Sequence, residues 1–284
     1  MLAVLAGDAD ELIAQRAAGA LLSQPLDAIL AALAQADASQ QLFSYCARNL
    51  ADKPRIADAL AKNPRCPADL LVPAARYFTS SAAQALIDDL DRLSTMPALA
   101  AVLAASSSLT ADQRHALQEL QQGPSDPSAI EEAVAAAEPD RAKRQTLLQR
   151  LSRMRVIERV QLALKGNREE RMALIRDPCK VVQRAVLQSG QVSDREVETY
   201  AAIASLSEEV LRVIGSHRNF IKNHTVVRNL VNNPKTPLEI SLHLLPNLTA
   251  QELKLLTTNH NIPDTLRKMA IRLQRQRSQE RQGS

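Results

Sequence analysis

Tryptophan is absent from the 284-residue chain, aromatic residues make up 2% of it, and glycine occurs seven times. Strand-forming side chains are therefore scarce, and neither a Gly-rich phosphate loop nor a dinucleotide-binding turn can be assembled. Three cysteines, Cys46, Cys66 and Cys179, stand far apart with no Cys-x-x-Cys pair. Their odd number and spacing argue against a disulfide framework or a structural zinc site and suit a reducing compartment. No basic region opens the chain, and Asp8, Asp10 and Glu11 interrupt it before an apolar segment of signal-peptide length has formed. The longest uncharged stretch, Leu93 to Ala111, contains Pro97 and six hydroxyl residues, so it reads as loop-joined helix and not as a membrane span. A cytoplasmic, soluble chain without integral membrane association is expected. Neither a Gly-x-Ser-x-Gly elbow nor a His-Glu-x-x-His pair occurs. A protein that is not an enzyme and carries no cofactor is the expectation.

What is abundant is alanine and leucine, strong helix formers, and the predicted fold class is all-α. Charge is uneven. Residues 1–140 hold 9 Lys+Arg against 18 Asp+Glu, whereas residues 141–284 hold 26 against 13. A basic half attracts nucleic acid, an anionic surface or an acidic protein, and an acidic half on the same chain is able to mask it. The stretch from Gln121 to Ser128 packs Gly123, Pro124 and Pro127 among small polar residues and breaks any helix. These features divide the chain into an acidic helical-repeat region (1–122), a connector with a linking helix (123–150) and a basic helical-repeat region with a C-terminal helix (151–284).

Capping boxes of the form Ser/Thr-x-x-Glu/Gln predict helix starts at Thr110, Ser128, Ser193, Thr236 and Thr249, with Asn167 and Glu170 as a variant. Pro237 is expected at the first helical position after Thr236. Starts about a dozen residues apart leave room for helices of two to three turns, too short to be stable alone. Self-similarity points the same way: Asn63-Pro64-Arg65-Cys66-Pro67 recurs as Asn233-Pro234-Lys235-Thr236-Pro237, an offset of 170, and Pro97 corresponds to Pro263. Both halves are expected to use one building unit, stacked as an α-solenoid of short helical repeats.

Leu174-Ile175-Arg176-Asp177-Pro178 followed by the Val-rich stretch Val181 to Leu187 resembles the leucine-rich repeat variant, a HEAT-like unit. Val226-Val227-Arg228 through Asn233-Pro234-Lys235-Thr236-Pro237 resembles a further copy. The likeness is clearest over residues 151–273 and weak over 40–105. It implies a protein-interaction scaffold, with nucleic-acid binders as a minority. Some variant-repeat proteins also carry an iron–sulfur cluster, but Cys46, Cys66 and Cys179 cannot supply four thiolates.

Basic residues are the leading functional candidates: Arg176, Lys180 and Arg184 at four-residue spacing, then Arg212, Arg218, Lys222, Arg228 and Lys235. Equivalent positions of stacked repeats align, so these cations are expected to form a stripe. Such a stripe suits an acidic protein partner or, alternatively, a nucleic-acid backbone. Against the second stands the shortage of aromatics in the basic half, Phe220 and Tyr200 alone. His217, His224, His243 and His260 cluster late in the chain without the i, i+4 spacing of metal ligands and are read as surface or turn residues. Cys66 and Cys179 adjoin Pro67 and Pro178 and are read as packing residues. The segment Leu266 to Arg277 is a basic amphipathic helix with Leu266, Met269, Ala270 and Leu273 on its apolar side, expected to cap the array, followed by a frayed run from Ser278.

Overall fold

In the computed structural model, residues 2–6, 10–106, 108–124, 126–137 and 141–282 are described. Among them none belongs to a β-strand, and one isolated antiparallel bridge joins Pro124 to Arg155. The fold is all-α. Contacts divide it into two compact units, residues 1–125 with 153–161, and residues 126–152 with 162–284. The boundaries read from composition, 122/123 and 150/151, do not coincide with these. Asp126 to Ser152 sits with the second unit, and residues 153–161 belong to the first. There the Val156 amide donates to Gln122 O at 3.3 Å, and Gln161 Nε2 donates to Ser94 O at 3.0 Å.

The first unit contains α1 (Leu2–Leu5), α2 (Glu11–Leu22), α3 (Leu26–Leu33), α4 (Gln40–Asn49), α5 (Pro54–Lys62), α6 (Ala68–Ala74), α7 (Ser80–Asp88), α8 (Leu90–Ser94), α9 (Pro97–Ala104) and α10 (Ala111–Gln121). Two rows emerge from the contacts: α3 packs on α5, α5 on α7 and α7 on α10, while α4 packs on α6 and α6 on α9. Each helix is short because an apolar stripe of two turns is enough to bury one face. In α5 that stripe is Ile56, Ala57, Leu60 and Ala61.

In the second unit lie α11 (Pro127–Ala137), most of α12 (Arg141–Arg153), the end of α13 (Val156–Lys165), α14 (Arg168–Leu174), α15 (Lys180–Gln188), α16 (Asp194–Ala202), α17 (Glu208–Ser216), α18 (His224–Asn232), α19 (Leu238–Leu244), α20 (Ala250–Thr257) and α21 (Asp264–Gln282). Here α15 packs on α17, α17 on α19 and α19 on α21, with α16 on α18. His224 Nε2 and Asn259 Nδ2 tie α18 to α20 and to the turn after it.

The two units share one plan. Residues 54–62, 68–74 and 75–77 become helices or turns, and so do residues 224–232, 238–244 and 245–247, at a constant offset of 170. Ser39 and Ser207 cap α4 and α17, accepting from the amides of Leu42 and Val210, at an offset of 168. The recurring Asn-Pro turn has a specific task. Asn63 Nδ2 donates to Leu33 O (2.7 Å) and Gln35 O (3.1 Å), and its Oδ1 accepts from the Arg65 amide (2.9 Å). Asn233 repeats this on Ala201 O (2.9 Å), Ile203 O (3.0 Å) and the Lys235 amide (3.0 Å). Each buried amide thereby satisfies carbonyls left over at the end of the preceding helix of its row.

Helix starts at Thr110, Asn167, Ser193 and Thr249 form reciprocal capping boxes. Two expected boxes do not form. Thr236 is buried, and Pro237 occupies the N-cap of α19 without a side-chain bond, so the following helix begins one residue late. Ser128 lies inside α11, whose start is capped by Asp126 through the Ser128 amide (2.9 Å) and hydroxyl (2.8 Å). The Ser128 amide is the first cause holding the Asp126 carboxyl below its ordinary range. In α21, which packs on α20 and α19, Leu266 and Ala270 are buried but Met269 is exposed. The run from Ser278, expected to fray, continues as helix to Gln282. Arg277 anchors this end through Leu248 O (2.7 Å) and Pro246 O (2.5 Å). No helix among the described residues is long and apolar enough to cross a membrane.

Candidate functional site

The chemistry of the second unit begins at its most buried charges. Arg171 on α14 forms a two-pronged ion pair with Glu196 on α16: Nε to Oε1 at 3.0 Å and Nη2 to Oε2 at 3.1 Å. Arg171 also donates to Gly166 O (2.6 Å) and Gln191 O (3.2 Å). Glu196 Oε2 accepts from the Ser193 amide (3.0 Å) and hydroxyl (2.8 Å), and Tyr200 Oη lies 3.3 Å from Oε1. Burial pushes the Glu196 carboxyl up, but the Ser193 bonds and Arg171 outweigh it and hold the group below the ordinary range. Burial, with the Glu196 charge, raises the Tyr200 phenol strongly. Every polar atom of this cluster that is described has a partner within it, so it joins helices and offers nothing to a ligand.

The eight predicted cations separate into two kinds. Arg176, after α14, is half-buried; its Nη1 donates to Met172 O at 2.7 Å, and burial lowers its ordinary value. Lys180 on α15 pairs with Glu209 on α17 at 3.3 Å, and Arg212 on α17 pairs with Glu239 on α19. Arg184 is half-buried on α15. These four belong to the α15–α17–α19 row or its approach, and ion pairs running from helix to helix already use two of them.

Arg218, Lys222, Arg228 and Lys235 are different. All four are exposed, none is within ion-pair distance of a carboxylate among the described residues, and they fall around α18. Arg218 and Lys222 precede it, Arg228 projects from it beside His224 and Asn232 on one face, and Lys235 follows it. The expected single stripe is therefore two arrangements on two rows of helices, one partly engaged by internal ion pairs and burial and one open to solvent. Arg195 on α16 and Lys254 on α20 share the second condition, and the sequence reading did not single them out.

The charge balance of the units is milder than that of the sequence halves. The first holds 12 Lys+Arg against 14 Asp+Glu and the second 23 against 17, because the acidic stretch from Asp126 packs with the basic repeats. Of the two aromatics in the basic half, Tyr200 is buried and Phe220 stacks on His217 with centroids 4.2 Å apart. His224 pairs with Glu252 at 2.9 Å, His260 Nδ1 lies 3.1 Å from Arg267, and His243 is exposed. No group of three His, Cys, Asp or Glu among the described residues is placed to hold a metal ion. Cys46, Cys66 and Cys179 are buried free thiols, and burial pushes Cys46 up to about 11 and Cys66 up to about 12. Compared with known proteins, the chain matches no family model, no curated protein and no solved structure.

Proposed function

We propose that the chain is a non-enzymatic binding scaffold, an α-solenoid of leucine-rich-repeat-variant-like units that holds an acidic protein segment on the cationic surface of its second unit. The observation that carries this reading is the group Arg218, Lys222, Arg228 and Lys235, four exposed cations within 18 residues and none paired to a carboxylate among the described residues. Exposed cations without an internal ion pair remain largely hydrated in the free protein, Lys222 bonding only Asn219 Oδ1 at 3.2 Å, so a partner's carboxylates approach them without first breaking such a pair. The Asn233 bonds, which tie the end of α18 to the end of α16, hold the helix that carries these positions in place, and little ordering entropy is left to lose on binding. Burial of Tyr200 and the stacking of Phe220 on His217 leave few free rings for nucleic-acid bases, which favours a protein ligand over a single strand.

The test is a fluorescence titration of the full chain with a labelled oligoglutamate peptide and, separately, with a DNA duplex at low and physiological salt. Tighter capture of the peptide, lost when Arg218, Lys222, Arg228 and Lys235 are all changed to Glu, supports the reading. Tight duplex binding with a steep salt dependence and no peptide binding replaces it with a nucleic-acid one.

A further inference from the structure

Large apolar side chains that stay exposed gather mostly on the first two and the last two helices. Leu12 and Leu22 on α2 are 65% and 58% exposed, and Leu255 on α20 is 65% exposed. Val4 on α1 and Ile13 on α2 add to the first group, and Met269 on α21 to the second. Clustered apolar surface of this kind marks a place where another molecule sits.

Leu12, Gln15, Gly19 and Leu22 recur at spacings of three and four residues and share one face of α2, opposite its buried residues, Ala17 and Leu21. A Cβ added at Gly19 would meet nothing within 4 Å. The second unit has the same helix covered. Gln15-Arg16-Ala17 recurs as Gln183-Arg184-Ala185 on α15, at the offset of 168. There Gln183 and Leu187, the counterparts of Gln15 and Gly19, are buried, and α14 packs on α15. On α2 the packed neighbour is α1, four residues long, and it leaves both positions exposed.

The other group belongs to α20 and α21, which pack on one another. At the offset of 170, α20 corresponds to α7. Gln84 of α7 is half-buried and bonds Gln113 of α10 at 2.9 Å, whereas its counterpart Lys254 is exposed, next in sequence to Leu255. Leu255 is in the last turn of α20 and Lys268 in the second turn of α21, so both flank the short turn between these helices. Lys268, Arg272 and Arg275 share an exposed face of α21 with Met269 at its edge, and no carboxylate among the described residues pairs with them. Charge separates the two groups. Residues 1–24 hold three Asp+Glu against one Arg, and residues 254–282 hold seven Lys+Arg against two Asp+Glu. Two copies of the chain meeting by like surfaces would oppose like charges. Meeting by unlike surfaces, they set apolar side chains together and acid against base.

We infer that the chain associates head to tail with a second copy of itself, the α2 face of Leu12 and Leu22 on one copy seating against Leu255 and Lys268 of the next. Glu11, exposed beside Leu12, faces the cations of α21 in that contact. A contact between unlike surfaces repeats from copy to copy, closing as a ring or running on as an open chain. It uses none of Arg218, Lys222, Arg228 and Lys235, so it stands or falls apart from the acidic-segment reading. The test is sedimentation velocity of the full chain over a concentration series, with a head variant (Leu12→Glu, Leu22→Glu), a tail variant (Leu255→Glu, Lys268→Glu) and their equimolar mixture. All four positions are exposed, and circular dichroism is expected to stay that of the wild type. The wild type is expected to reach about twice the single-chain mass or more, and to fall back as added salt screens the contact. Each variant alone is expected to remain a single chain. Their mixture is expected to form a two-chain species, because one variant keeps its tail and the other its head. A wild type of single-chain mass at every concentration would overturn the inference, as would a tail variant that still associates alone or a mixture that does not associate.

Discussion

Asn63 and Asn233 stand 170 residues apart and make the same three hydrogen bonds, two onto carbonyls ending the helix before in their row and one from the amide two residues on. Removing either side chain strands buried carbonyls, each worth about 1–3 kcal/mol. Asn233→Ala is expected to lower protection in the second unit alone, and Asn63→Ala in the first, as read by native-state hydrogen exchange.

A second correspondence predicts a rescue. At Gly215 on α17 an added Cβ would meet Ile240 Cγ2 on α19 well inside contact distance. Their counterparts in the first unit are Ala47 and Leu70, a larger residue facing a side chain not branched at Cβ. Gly215→Ala is expected to cost about 1–3 kcal/mol by overpacking, and Gly215→Ala with Ile240→Leu to recover most of it. Thermal melts of the two variants check this.

Acid sensitivity follows from Glu196. Its folded carboxyl lies below the ordinary value of about 4.3, so its contribution is complete above that value and is lost as pH falls through it toward the folded one. Glu252 is shifted in the same direction: burial opposes it, and the Thr249 and His224 bonds outweigh burial. Glu196→Gln, which leaves Arg171 buried against a neutral partner, is expected to destabilise the second unit by about 3–5 kcal/mol at neutral pH. It should also flatten the fall in denaturation midpoint on acidification, leaving the steps due to Glu252 and Asp126.

Thiol chemistry gives a simpler check. With Cys46 raised to about 11 and Cys66 to about 12 by burial, little thiolate exists near neutrality and neither sulfur is exposed. Native protein is expected to react with iodoacetamide at these two positions far more slowly than denatured protein, as counted by mass spectrometry of the intact chain.

Much of this architecture was legible from local signals. The capping boxes at Thr110, Asn167, Ser193 and Thr249 and the repeated Asn-Pro turn each act within a few residues, so sequence alone locates them. Thr236 misled because Pro237 took the cap position and the threonine turned inward. The division of the cations was hidden for a different reason. Lys180 meets Glu209 and Arg212 meets Glu239 across 27 to 29 residues, a separation set by helix packing and by no motif. Arg195 and Lys254 became visible only once the structure gave the exposure and ion pairing of each cation.

The most direct test of the acidic-segment account is the hydrogen exchange of the full chain with and without saturating oligoglutamate peptide. Slowed exchange in residues 218–235, with the equivalent residues 50–65 unchanged, is the predicted result. Protection in 50–65 instead, or none anywhere while the peptide is bound, would contradict it.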